Sequence, residues 1–199
     1  MPYSKEHKKQ SRQKILNSAV ALFSSRGFDQ VSINDLMEHA GLTRGAFYAH
    51  FDSKQAVYAK AIITGAKNSR FMSEKPDGAS QKDWIRNLLF GYLSQEHINQ
   101  ELPPCPLAFL VTDIANNETE VQETYARMFR RLNKGIELQL KEYAKEKEST
   151  SPSKEDVLAA TAMMIGGVAI GRVLNNDAQT KKLLDSCRQG ALDLLKTEF

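Results

Sequence analysis

The feature that most restricts this chain is a crowd of helix stops and starts in GFDQVSINDLMEHAGLTRGAFYAHFDSK, residues 27–54. Upstream of it, Ile15, Leu16, Ala19, Leu22 and Phe23 fall at i, i+1, i+4, i+7 and i+8, one apolar face of a helix over 12–25. Gly27 reads as a left-handed cap on that helix, with Phe28 set to fold back on its last turn. Ser32 opens the next helix, with Asp35 three residues on as in a capping box. Ile33, Leu36, Met37 and Ala40 give it a narrow stripe barely two turns long, and Gly41 ends it. Thr43 is placed to cap a third short helix whose Phe47 and Phe51 share a face, and Ser53 caps a fourth that runs to about Arg70. Two short helices joined at Gly41–Leu42 have the length and turn chemistry of a helix-turn-helix.

The remainder also reads as helix. SEKPDGASQ (73–81) is a loop by composition, followed by a helix around Lys82–His97, a Pro-rich break at LPPCP (102–106) and a short helix from Leu107. A long helix over about 118–148 carries Val121, Tyr125, Met128, Leu132, Ile136, Leu140 and Tyr143, and two last helices span 154–175 and 177–197. The expected fold is all-α, with about nine helices. At 41% hydrophobic and 26% charged residues the composition is that of an ordinary soluble protein. The apolar run LAATAMMIGGVAI (158–170) falls short of the roughly 20 residues that span a bilayer. The first ten residues lack a signal-peptide core, so a cytoplasmic protein without a membrane partner is expected. His7, His39, His50 and His97 have no metal spacing, the two cysteines form no CxxC pattern, and no phosphate-cradling Gly loop or nucleophile elbow is present. The expectation is a non-enzyme without metal or cofactor.

Gly45 is the anomaly. It sits in the first turn of a short helix, where Gly costs roughly 1 kcal/mol relative to Ala. Phe47 and Phe51 account for the inner face, leaving Thr43, Arg44, Tyr48 and Ala49 on the opposite and flanking faces. A residue without a side chain lets backbone approach a partner closely, and a duplex major groove is only about 12 Å wide. Arg44 can reach guanine edges or phosphate, Tyr48 and His50 offer donors to the backbone on either side, and Lys54 can neutralise a further phosphate. Charge agrees. Residues 1–54 hold eight Lys/Arg and five Asp/Glu, while residues 55–199 hold nineteen of each, so the whole excess of +3 lies in the N-terminal unit.

With GF at 27–28 and SINDLMEHAGLTRGAFYAHFDSK at 32–54, the segment from about Ser11 to Ala66 resembles the DNA-binding domain of the TetR family of bacterial repressors. The C-terminal part is similar only in layout. The resemblance implies a helix-turn-helix domain over 1–54, with the motif at 32–51, and a ligand-binding and dimerisation domain over 55–199. It implies a homodimer that binds a palindromic operator and is released by a small-molecule inducer. Carried over residue by residue, it assigns DNA contact to Ser32, Thr43, Arg44, Gly45, Tyr48, His50 and Lys54. Arg44 is the base reader, and Tyr48, His50 and Lys54 are phosphate contacts. Ala49 departs from the larger residue that many members carry, which reduces readout there to methyl packing.

One helix-turn-helix contacts too few base pairs to select a site, so a dimer seam is expected. The small residues of DVLAATAMMIGGVAIGRVL (156–174) and the last helix supply candidates: Ala162, Gly166, Gly167, Ile170, Gly171, Cys187, Ala191 and Leu194. By resemblance a ligand pocket lies within residues 82–174, with Trp84, Phe90, Cys105, Phe109, Tyr125 and Met128 as lining. Cys105 stands immediately before a helix, where backbone amides can lower a thiol pKa, and this opens an alternative reading as a redox- or electrophile-sensing repressor. A helical module that binds another protein is the remaining class.

Overall fold

The computed structural model describes residues 5–69, 71, 75–101 and 104–197. Arg70, expected at a helix end, and Leu102 and Pro103 of the Pro-rich break lie outside the described residues, as do positions 73 and 74 of the first loop. The described residues form eleven helices and no strand. They are α1 (Lys5–Arg26), α2 (Ile33–His39), a 3-10 segment (Arg44–Ala49), α3 (Lys54–Asn68), α4 (Gln81–Tyr92), α5 (Gln95–Ile98), α6 (Pro106–Phe109), α7 (Val111–Ala115), α8 (Thr119–Glu146), α9 (Lys154–Gly171) and α10 (Asp177–Leu194). The all-α expectation holds, with more helices than nine. The expected helix at 82–97 breaks at Leu93 into α4 and α5, where Ser94 starts a new cap by accepting from the His97 amide.

The N-terminal unit is built as its caps dictate. Gly27 has φ +80° and donates its amide to the Phe23 carbonyl, closing α1, and Gly41 (φ +66°) closes α2. Ser32 and Asp35 complete a reciprocal capping box, and the Ser53 hydroxyl accepts the Ala56 amide at the start of α3. The buried stripe of α1 receives α2 from one side, where the Ser18 hydroxyl donates to the Leu36 carbonyl across 2.8 Å. Phe23, Phe28 and Tyr58 pack ring to ring below the Gly27 turn. The helix expected over 12–25 extends back at least to Lys5, two turns earlier, with residues 5–10 exposed.

α3 packs on α1 and also on α8, so it joins the N-terminal unit to the larger bundle. Gly65 lets α6 and α1 come close to α3. A Cβ there would stand 2.7 Å from the Pro106 ring of α6 and 3.3 Å from Val20 of α1. α8 buries Val121, Met128, Leu132, Ile136 and Leu140 along one face against α3 and α4. α9 and α10 form an antiparallel pair, with Gly167 opposite Cys187 and Gly171 opposite Thr180.

That pair corrects part of the expected dimer seam. A Cβ on Gly167 would meet Leu93 at 2.9 Å and Cys187 at 3.1 Å, and one on Gly171 would meet Ile98 at 2.6 Å. Both glycines are consumed by packing within the chain, as is Ala191, which is fully buried. Ala162, Gly166 and Ile170 remain on the open side, and Cys187 and Leu194 are half-buried at its margin. The small residues of α9 thus serve two faces, an inner one at 167 and 171 and an outer one at 162 and 166.

Gly65→Val should lower stability by about 1–3 kcal/mol, the usual cost of forcing extra carbons into a filled contact. A denaturant titration that leaves the midpoint unchanged would show that α3 and α6 can part freely.

Candidate nucleic-acid interface

The segment after Leu42 does not wind as an α-helix. Arg44–Ala49 is a 3-10 helix, the tighter winding with three residues per turn. Thr43 takes its N-cap position, yet its hydroxyl makes no cap bond, so the expected capping role is replaced by an exposed, unspent donor. Phe47 is fully buried, Phe51 lies behind it with ring centroids 5.9 Å apart, and the pair fixes the segment on the core. Thr43, Arg44, Gly45, Tyr48 and Ala49 are all exposed on the other side.

No neighbour requires Gly45. Nothing lies within 4 Å of a Cβ built there, and its backbone is outside the positive-φ region that Gly27, Gly41 and Gly78 occupy. Neither crowding nor backbone geometry explains the glycine, which leaves an outer face shaped for close approach. Tyr48 stands beside it at 58% exposure, its ring edge-on to Phe47 with centroids 5.3 Å apart. A large exposed aromatic ring that carries a hydroxyl is suited to a polar partner.

Ser32 and Lys54 carry structural duties besides any contact with DNA. The Ser32 hydroxyl donates to the Asp35 carboxylate at 2.6 Å and accepts the Asp35 amide at 3.2 Å. The hydrogen bonds from Ser32 hold the Asp35 carboxyl below the usual carboxylate range. The Lys54 ammonium donates to the Phe28 carbonyl at 2.9 Å and the Val31 carbonyl at 3.1 Å, and lies 3.9 Å from the centroid of the Phe28 ring. A cation in the first turn of a helix opposes the helix dipole, and these two carbonyls offset that cost. These two carbonyls take two of its three N–H bonds, leaving one over.

His50 closes the 3-10 segment, half-buried, with Nδ1 buried and unpartnered. Burial, then the charges of Lys8, Arg12 and His7, hold it below the ordinary imidazole range. These α1 residues are the ones that sequence reasoning missed. Arg12 also sits 4.9 Å over the Phe51 ring, which ties the start of α1 to the reading segment. The signal was available in the spacing of the cations on α1, but only the structure brings that helix face to His50.

The six residues expected to line a ligand pocket fall in three settings. Cys105, Phe109 and Met128 are buried. Tyr125 is half-buried and donates its hydroxyl to the Leu107 carbonyl at 2.8 Å. Trp84 and Phe90 are half-buried on α4, with the guanidiniums of Arg86 and Arg188 over the Phe90 ring. Phe90 therefore faces α10 rather than the Cys105 region. Around Cys105 the interior is filled by Phe71, Tyr92, His97 and Phe109, with successive ring centroids 4.7–5.3 Å apart. His97 Nδ1 lies 2.7 Å from the Tyr92 carbonyl, while Nε2 accepts the Cys105 amide at 3.3 Å. Cys105 itself is fully buried, and burial pushes its thiol up despite the hydrogen bond from Tyr92 and the amides of Leu107 and Ala108. Such a thiol is protonated and closed to solvent, the opposite of an activated one. Concavities of about 810 and 580 Å³ lie elsewhere, against α10, lined by residues such as Lys147 and Lys196 in the first and Lys181 and Arg188 in the second. Among the described residues no helix is long and apolar enough to cross a membrane, and no cluster of His, Cys, Asp or Glu suits a metal ion.

Comparison with known proteins bears on this face directly. Residues 15–61 match the family model of bacterial regulatory proteins, tetR family. The chain is 27% identical over 145 residues to the HTH-type transcriptional regulator YfiR of Bacillus subtilis, covering 67% of this chain and 69% of that one. It is 31% identical over 51 residues to IcaR of Staphylococcus aureus, a negative transcriptional regulator of a biofilm operon, covering 26% of this chain and 27% of that one. Among solved structures, a TetR-family regulator from Cytophaga hutchinsonii superposes over all of both chains with a TM-score of 0.76 at 20% identity. Reduced NemR from E. coli gives 0.73 at 19% identity, over 94% of this chain and 98% of that one.

Gly45→Leu is expected to fold normally, because nothing stands within 4 Å of its Cβ, and to lose at least tenfold in affinity for duplex DNA. Fluorescence anisotropy alongside a thermal melt checks both halves; undiminished binding would remove the close-approach explanation of the glycine.

Proposed function

The chain belongs to the TetR family of transcriptional regulators, and on that premise we propose that it is a cytoplasmic repressor that binds a palindromic operator as a homodimer and is released by a small molecule. The observation that carries this reading is the face around Gly45: an exposed glycine with open space above it, flanked by Thr43, Arg44 and Tyr48. In this reading Arg44 reads base edges, Tyr48, His50 and the remaining N–H of Lys54 meet phosphates, and Ser32 keeps the start of α2 in shape for the backbone to approach. Repression is the direction named for IcaR, which this chain matches over 51 residues.

Dimerisation is supported by the outer face of α9. Leu158, Ala162, Met163, Gly166 and Ile170 recur on one stripe, with Ile170 53% exposed, and Val173, just past the end of the helix, is 80% exposed. Gly166 has nothing within 4 Å of its Cβ, so another helix can come close there. An isologous pairing of α9 and α10 buries this stripe against its copy in a four-helix bundle. Two reading segments held roughly 34–36 Å or more apart then supply the specificity that one lacks.

Release needs a path from the bundle to the reading unit, and two charged side chains bridge them. Asp113 of α7 accepts the Phe28 amide at 2.8 Å. Arg172, at the end of α9, donates to the Phe109 carbonyl and the Ser24 carbonyl, each at 3.2 Å, with its guanidinium 4.1 Å over the Phe109 ring. An effector that opens the cluster around Cys105, Phe109 and Tyr125 moves the Phe109 carbonyl, which Arg172 links to the Ser24 carbonyl of α1.

Ile170→Asp should give a folded monomer by sedimentation, with operator affinity down at least tenfold. A dimer that survives this change is not built on α9. Arg172→Gln is expected to raise hydrogen exchange at the amides of residues 24–28 at least severalfold while α8 stays protected; unchanged exchange there would exclude the joint as the path.

A further inference from the structure

The charge excess of the N-terminal unit is not where the reading segment is. Residues 5–14 hold five Lys/Arg against one acid, Glu6, whereas residues 15–54 hold three against four. The unit that meets the duplex is therefore formally negative without the first turns of α1. A polyanion is held mainly by lysine and arginine at its phosphates, and that term supplies most of non-specific affinity. The attraction has to come from somewhere other than residues 15–54.

Lys5, Lys8, Lys9 and Arg12 recur at i, i+3, i+4 and i+7, a single stripe on α1. Arg12 and Lys8 continue, one and two turns earlier, the face that buries Ile15 and Ala19. That face thus passes from the core to the flank of the reading segment, where Arg12 lies over the Phe51 ring. Among the described residues none of these four cations pairs with a carboxylate; the ion pairs are at Lys145, Lys181 and Arg188. Glu6 is engaged by Gln10 at 3.4 Å.

We infer that the first two turns of α1 are a second nucleic-acid-binding surface, in which Lys5, Lys8, Lys9 and Arg12, together with His50, grip duplex phosphates beside the bases met by the reading segment. This rests on the DNA-binding reading above and adds to it the source of electrostatic affinity. The mutual repulsion of the cluster agrees: after burial, which is the larger effect, the charges of Lys8, Arg12 and His7 disfavour a charge on His50 in the free protein. A phosphate placed among them relieves that repulsion. The contact is to backbone and carries no sequence information, so it anchors rather than selects.

The test uses the full chain and a random-sequence duplex of about 30 base pairs, with anisotropy titrations between about 50 and 200 mM salt. The variants are Lys8→Ala and the triple Lys5→Ala/Lys8→Ala/Lys9→Ala; their side chains are exposed, and circular dichroism and melting confirm folding. Each phosphate contact removed should flatten the slope of log affinity against log salt by about 0.9, so a Lys8→Ala dimer should lose about twice that. The triple variant should lose at least tenfold at low salt, equally for operator and random DNA. Slopes that superimpose on that of a wild type that binds would overturn this inference and leave the reading segment untouched. A wild type that binds no duplex at low salt, unlike the triple-variant result, would remove the DNA-binding reading itself.

Discussion

The structure depends on how five residues at the end of α1 are held. At Ser24–Phe28 the chain leaves its first helix through a left-handed glycine, and three backbone groups there are taken by distant parts of the molecule. The Phe28 amide goes to Asp113 and its carbonyl to Lys54, while the Ser24 carbonyl goes to Arg172. A Cβ on Gly27 would stand 2.8 Å from the Asp113 carboxylate, so this turn admits the acid only because position 27 has no side chain. Lys54 belongs to the reading unit; Asp113 and Arg172 belong to the bundle. The same peptide stretch therefore sets the angle of α1 to α2 and the seating of both on the larger domain.

Burial makes that joint stiff. Phe28 lies between the Phe23 and Tyr58 rings and the Lys54 ammonium, and burial, followed by the charges of Asp113 and Asp29, pushes the Tyr58 hydroxyl up. Arg172 loses solvation in the same region and recovers part of it from Asp113. Groups partly withdrawn from water hold one geometry, because any movement leaves a charge without its partner. The surface groups of the reading segment have no such constraint. Tyr48 and Arg44 are exposed on a short 3-10 turn that Phe47 and Phe51 pin down from beneath. A rigid root under an open tip is what a reading head needs.

What the sequence disclosed follows the range of the forces involved. Gly27, Ser32, Gly41 and Ser53 act on residues within four positions of themselves, and each ends or begins a helix where its chemistry says. The burial of Phe47 and Phe51 and the open face at Gly45 follow from one short periodicity, and they too were legible. Contacts between distant segments were not. Nothing local distinguishes Gly166 from Gly167, and only the course of α4 and α10 past α9 decides that one faces outward and the other meets Leu93 and Cys187. Lys54 looked like a surface cation because the carbonyls it binds are twenty-odd residues back in the chain. Cys105 looked poised because it precedes a helix, but α6 is four residues long and full burial outweighs its few amides. The stripe of cations on α1 was visible as spacing, yet it has meaning only once Arg12 is seen against Phe51.

The joint also bears on the ligand-driven release proposed above. A ligand changes DNA affinity only by the difference in its affinity for two arrangements, typically about 1–3 kcal/mol. A net hydrogen bond is worth roughly 1 kcal/mol, and one to a charged group about 1.5–3 kcal/mol. Three such bonds, from Asp113 and Arg172, cross or support the contact between α6–α7 and α1. Disturbing one or two of them already spans the coupling that a regulator requires, without unfolding either part. The joint need not open; it need only trade one set of partners for another, and Arg172, which holds the Phe109 carbonyl with one nitrogen and the Ser24 carbonyl with the other, is placed so that the bundle cannot repack at Phe109 without the reading unit sensing it.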